Sequence, residues 1–191
     1  MKSSMLKYRW FAMVALGAAL AACGGYTTVT LGGAVSGLIT SGLVLESLGA
    51  TVAVPVDAKS YTFPAQIADD GKYAVTVKVQ PPRLTCQVSG ASGIATGISI
   101  TTANVFCSVN RYALGGTING LTAANLILTN GGDNLPVPAG STTFTFGTTV
   151  QDGASYGVAV LQQPTNQTCV VTNGTKVMGS APVTDVVVTC K

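Results

Sequence analysis

The chain contains no histidine, and only 9% of its 191 residues are charged. Without an imidazole there is no Ser-His-Asp or Cys-His apparatus and no ordinary histidine base. No two cysteines are spaced as C-x-x-C, so a zinc site would lack both of its usual close-set ligand types. Tryptophan occurs once, as Trp10, and everything after it lacks the indole platform on which sugar rings commonly stack. Beyond residue 23 no apolar run reaches the ~18–20 residues that a membrane-spanning helix requires. The ten Lys and Arg residues are scattered singly, a pattern that offers nucleic acid no basic surface.

What is abundant is glycine, with 23 residues, together with Thr and Val. β-Branched residues and glycine with few Lys or Glu favour short strands and tight turns over helices. The carboxylates are Glu46, Asp57, Asp69, Asp70, Asp133, Asp152 and Asp185. A glycosidase needs a facing pair, but Asp69 and Asp70 adjoin Gly71, where aspartate serves a turn. Ser89-Gly90-Ala91-Ser92-Gly93 is glycine-rich but precedes no helix, so it is not a phosphate-binding loop. No metal or cofactor is expected, and no catalytic residue is assigned.

Residues 1–22 have the three parts of an export signal. Lys2, Lys7 and Arg9 supply the positive n-region, and Trp10 to Ala19 form an apolar h-region too short to be an ordinary spanning helix. Three of the ten basic residues fall here, so the remainder carries seven basic against seven acidic side chains, a balance of zero. Leu20-Ala21-Ala22-Cys23 follows, then Gly24-Gly25. This run resembles the lipobox of bacterial lipoproteins at every position. The resemblance implies diacylglycerol on the Cys23 thiol, cleavage before it, and an acyl chain such as palmitate on the new amine. Two or three buried chains hold a protein on a membrane where one does not. Gly24 stands where an aspartate would mark retention in the inner membrane, so the family rule favours the outer membrane. No residue distinguishes its periplasmic from its cell-surface face.

Placing residue i beside residue i+83 aligns Leu31–Ser108 with Leu114–Lys191 without an insertion. Leu31-Gly32-Gly33 matches Leu114-Gly115-Gly116, Tyr61-Thr62-Phe63 matches Phe144-Thr145-Phe146, and Gln80-Pro81 matches Gln163-Pro164. About 80 residues is longer than a solenoid unit and the size of a small domain. The expected organisation is a signal over 1–22, a lipidated tether over 23–28 and a first repeat over 29–108. A short linker over 109–113 and a second repeat over 114–191 complete it.

Within each copy the periodicity is two. Tyr73, Val75, Val77 and Val79 alternate with Ala74, Thr76 and Lys78, and Val52, Val54 and Val56 form a similar set. Short runs bounded by Gly, Asp, Asn or Pro predict two tandem antiparallel β-sandwiches. Pro55 and Pro138 cannot donate to a ladder, which places their strand at an edge. The order Gly33-Ala34-Val35-Ser36-Gly37, Leu43-Val44-Leu45, Tyr61-Thr62-Phe63 and Gly71-Lys72-Tyr73-Ala74-Val75 resembles the transthyretin-like, Ig-like sandwiches of carboxypeptidase regulatory domains and adhesin stalks. The second copy departs from the pattern with Ala154 in place of Gly71. The cysteine-bearing tail is similar to repeats of proteobacterial surface and exported proteins.

Of the five cysteines, Cys86 and Cys107 are separated as Cys169 and Cys190 are. Three pairings are open; the one that repeats with the chain is Cys86–Cys107 and Cys169–Cys190. Each closure is worth about 3 kcal/mol by loop entropy. The expected function is a non-catalytic envelope lipoprotein that touches the membrane through Cys23 and meets envelope or surface proteins. The alternative is a binder of glycan or peptidoglycan fragments through loops such as Asn130–Asn134. Oligomeric state is not legible in the sequence.

Overall fold

The computed structural model describes residues 27–191. The expected signal helix and the lipidated Cys23 lie outside the described residues. No helix occurs among those that are described, and the chain there is all-β.

The first half contains β1 (Thr28–Val29), β2 (Gly32–Ser36), β3 (Leu43–Ser47), β4 (Ala50–Val54), β5 (Ser60–Thr62) and β6 (Ile67–Ala68). It continues through β7 (Lys72–Ala74), β8 (Thr76–Val79), β9 (Leu84–Ser89), β10 (Ser92–Ile94) and β11 (Asn104–Val109). The second half contains β12 (Arg111–Tyr112), β13 (Leu114–Asn119), β14 (Leu126–Asn130), β15 (Asp133–Val137) and β16 (Thr143–Thr145). It ends with β17 (Val150–Gln151), β18 (Ser155–Gln162), β19 (Cys169–Thr172), β20 (Thr175–Val177) and β21 (Val183–Cys190).

The strands repeat at the same 83-residue offset as the sequence. The backbone repeats too: positive φ occurs at Gly37, Gly42, Leu48, Asp57, Asp70, Arg83 and Gly90. Their counterparts Gly120, Asn125, Gly131, Gly140, Gly153, Asn166 and Asn173 have it as well. Left-handed backbone is rare outside glycine, so its recurrence at seven equivalent turns shows one fold used twice.

In each half a four-stranded sheet, ordered β5-β2-β11-β9 or β16-β13-β21-β19, is accompanied by a sheet built on a hairpin. That second sheet is β4-β3-β8 in the first half and β15-β14-β18-β20 in the second. β4 and β15 are edge strands as expected, although Pro55 and Pro138 lie just past the strand ends, outside the ladders. Val56 falls in the following turn and is exposed, so it is not a third member of the Val52–Val54 set.

Alternation buries one face of the longer strands of each half. Val35, Leu43, Leu45, Tyr61, Val75, Leu84 and Val105 join one apolar cluster. Ile118, Leu126, Leu128, Phe144, Val158 and Val188 join another. Aromatic residues two apart share a face and pack edge to face, with centroids 5.8 Å apart for Tyr61–Phe63 and 5.9 Å for Phe144–Phe146.

The sheets are not wholly antiparallel, contrary to the expectation from short alternating runs bounded by turn residues. β2 pairs in parallel with β11, and β13 with β21. A parallel pair needs a long crossover, and here the rest of each half supplies it, so the first long strand lies beside the last. Gly33 and Gly116 allow this approach: a Cβ at either would collide with the backbone carbonyl of Ala103 or Val186.

β9 and β19 are the outer edges next to those last strands. Their cysteines find the backbone partner they lack in a glutamine side chain. Gln80 accepts from Cys86 N (2.8 Å) and donates to Cys86 O (2.9 Å); Gln163 does the same at Cys169 (2.7 and 3.1 Å). The amide imitates a neighbouring strand at one position. Gln163→Ala, which strips both partners from Cys169, should lower stability by about 1–2 kcal/mol in urea titrations.

Tyr61 donates its hydroxyl to Ala103 O at 2.6 Å inside the first core. Burial pushes its phenol up to about 12. The neutral form is favoured by folding, so this contribution is complete below pH ~10 and is lost as pH rises from there toward ~12. Denaturation across that window should show the loss in the native chain, and Tyr61→Phe should flatten it.

Candidate functional site: the junction between the halves

Of the predicted site residues, the four later cysteines are brought together in pairs. Cys86–Cys107 and Cys169–Cys190 are disulfides, each spanning 21 residues. In both, the cysteines face each other directly across antiparallel strands, β9 with β11 and β19 with β21. Cys86 and Cys107 sit inside their strands, whereas Cys169 opens β19 and Cys190 closes β21. Such bonds persist in oxidising compartments, which marks the chain as extracytoplasmic.

The carboxylates do not converge. Glu46 pairs with Lys78 and Asp185 with Lys176, each at 2.6 Å. The hydrogen bond between the last two holds the Asp185 carboxyl below its usual range and raises Lys176. Both groups are exposed, so the pair contributes little to stability. Among the described residues no three His, Cys, Asp or Glu side chains group as metal ligands. The Asn130–Asn134 loop is a tight hairpin in which two side-chain oxygens serve the chain itself. Asn130 Oδ1 accepts from Gly157 N at 2.9 Å and Asp133 Oδ2 from Thr148 N at 3.0 Å.

The densest unexpected constellation is at the junction. β11 ends at Val109 and β12 begins at Arg111, so within the expected 109–113 linker only Asn110 and Ala113 are outside strands. Asn110 is fixed: its N–H donates to Arg83 O and its carbonyl accepts from Asp152 N, both at 2.9 Å. Arg83 Nη2 donates to Asp152 O at 2.6 Å, closing a ring of three hydrogen bonds across the two halves. Arg83 Nε also lies 3.3 Å from Asp152 Oδ1.

Asp152 is only 7% exposed, and its Oδ2 has no partner. A charge so placed depends on the guanidinium beside it. Gly153 leaves room for that group, because a side chain there would fall on the Arg83 guanidinium. Around the ring, Ile39, Thr40, Leu84, Val109, Gln151 and Ala154 line a cleft of about 360 Å3.

Arg83 holds its position at φ 66°, a conformation its counterpart Asn166 also adopts at φ 58°. Asparagine tolerates that region, whereas arginine is strained in it. Leu84 is buried at the junction, whereas its counterpart Gln167 turns inward. Gln167 Oε1 accepts from Thr122 N and Ala123 N, and its Nε2 donates to Gly120 O. The two copies therefore differ where one has a neighbour and the other does not. Reading Lys and Arg as merely scattered missed Arg83; subtracting one copy from the other exposes it.

The arrangement fixes one half on the other through an ion pair and a short, fully bonded connection. No protein-family model matches the chain, and no curated protein matches it significantly.

Arg83→Asn keeps the left-handed turn and removes the latch. It should cost about 1–2 kcal/mol, the arginine being half exposed. Residual dipolar couplings of the two halves, which fit one alignment tensor in the native chain, should then require two.

Proposed function

We propose that this chain is an envelope lipoprotein, held at the outer membrane by lipid on Cys23. Its two halves are transthyretin-like or Ig-like β-sandwiches in tandem, acting as a non-catalytic spacer or protein-interaction module. The observation that carries this reading is the cysteine count. Four cysteines close two equivalent disulfides, and the fifth is the last residue of Leu20-Ala21-Ala22-Cys23 behind a basic and then apolar segment.

Several features support it. The disulfides require export, which the amino-terminal pattern supplies. The chain after Cys23 is formally neutral, and no helix among the described residues is long and apolar enough to cross a membrane. Lipid on Cys23 would then provide the anchor. A short connection and an ion-paired junction suit a spacer, and exposed edge strands such as β4 and β15 can accept a partner strand. The glycan-binding reading is the less favoured alternative, because Asn130 and Asp133 of its candidate loop each spend a side-chain oxygen on the chain itself.

Replacing Cys23 tests the anchor. In fractionated cells the native chain should sediment with outer membranes, and Cys23→Ala should move into the soluble extract or stay as uncleaved precursor. Native-like recovery of mature Cys23→Ala in the outer membrane would overturn the proposal.

A further inference from the structure

The second copy serves as a control for the first, and the two differ at the pole where the tether enters. In the β3–β4 hairpin, Leu48 and Gly49 both have positive φ, 51° and 80°. Turns of that kind are filled best by Asn-Gly or Gly-Gly; the second half has Gly131-Gly132 there, with positive φ at Gly131, the counterpart of Leu48. Leu48 is therefore strained in its backbone, and its side chain is 69% exposed. Neither folding nor solubility accounts for a leucine at this position.

Ile98, between β10 and β11, is 73% exposed, and its counterpart is Ala181. Both Gly131 and Ala181 are themselves exposed, so packing against the other half does not explain why they are small.

Both large residues border the β1–β6 ribbon. Leu48 shares a cleft with Ala65, Gln66 and Ile67, and Ile67 pairs with Val29. Gly97, next to Ile98, lies against the Asp69 carboxylate, and Asp69 N donates to Thr27 O. From Thr28 back to Cys23 is five residues, at most about 18 Å of extended chain.

From this we infer that the tether-side pole of the first half docks on the lipid surface, with Leu48 and Ile98 as apolar wedges. The inference rests on the lipid anchor at Cys23. The reach of the tether commits the occupant: a pole held within about 18 Å of its own anchor meets the bilayer before any other partner. Two exposed aliphatic side chains suit insertion of about 5–10 Å, at the boundary of headgroups and acyl chains. Asp69 and Asp70 lie at the same pole, so the surface that fits is zwitterionic rather than strongly anionic. Docking there would hold the two halves at a set angle to the membrane instead of letting them swing.

The mature chain lacks tryptophan, which permits a single reporter. Full lipoprotein carrying Ala65→Trp, at the rim of the Leu48 cleft, is reconstituted into phosphatidylcholine vesicles with brominated acyl chains. Its emission should fall by roughly half, as expected for a residue at the acyl boundary. Adding Leu48→Gly and Ile98→Ala, the residues of the second half, should restore it. Lys191→Trp, at the last residue of the second half, should remain unquenched. The melting temperature of each variant reports whether it is folded, and Gln66→Trp replaces Ala65→Trp if that one is not.

The intact mass of the same samples reports lipid on Cys23 separately. A lipidated chain with an unquenched Ala65→Trp, or with quenching unchanged by the double substitution, overturns the docking and leaves the anchor standing. A chain without lipid that stays off the vesicles overturns both.

Discussion

Each half is closed by a parallel pair, β2 on β11 and β13 on β21, and most of the molecule's geometry follows from it. The pairing brings the start and the end of a half onto neighbouring strands. It demands glycine at Gly33 and Gly116, where any side chain would strike the opposite backbone. It also leaves the last strand flanked by β9 or β19, and there the disulfide ties it laterally. A unit of this size has a modest core, so a covalent tie to the closing strand adds stability that burial alone supplies sparingly. The glutamine that mimics a strand at each cysteine blunts the remaining edge.

The same closure governs how the halves meet. Because β11 runs to Val109 and β12 starts at Arg111, one half delivers the chain directly to the next. The ring of Arg83, Asn110 and Asp152 then removes the freedom that a longer connection would have. Asp152 is buried with one oxygen unpartnered, an arrangement that is unfavourable without Arg83 and that ties the ion pair to the docked state. Rigidity at this point suits the proposed role as a spacer or as a module that presents an edge.

Much of the fold was legible because period-two alternation and turn residues are local signals. Tyr61-Thr62-Phe63 declares its inward face without reference to any partner, and Pro55 and Pro138 declare an edge. The parallel pairing was not legible, since it depends on contacts about seventy residues apart and on two glycines that read equally well as turn formers. Arg83 was hidden for a related reason. Its importance lies in a left-handed backbone and a carboxylate 69 residues away, neither of which a charge count registers. The difference between the copies at Arg83 and Asn166, Leu84 and Gln167, and Leu48 and Gly131 was present in the sequence throughout. It becomes informative once the fold shows which of these positions meet a neighbour and which face solvent.

The central claim is that the odd cysteine carries the lipid, and the amino-terminal peptide of the mature chain tests it most directly. Trypsin acting on reduced, alkylated protein from outer membranes should release a peptide running from Cys23 to Lys59. By mass it should carry a diacylglyceryl group on sulfur, with or without an amide-linked acyl chain, and no alkylating label. A labelled, unmodified Cys23, or a mature chain that begins elsewhere, would contradict the account.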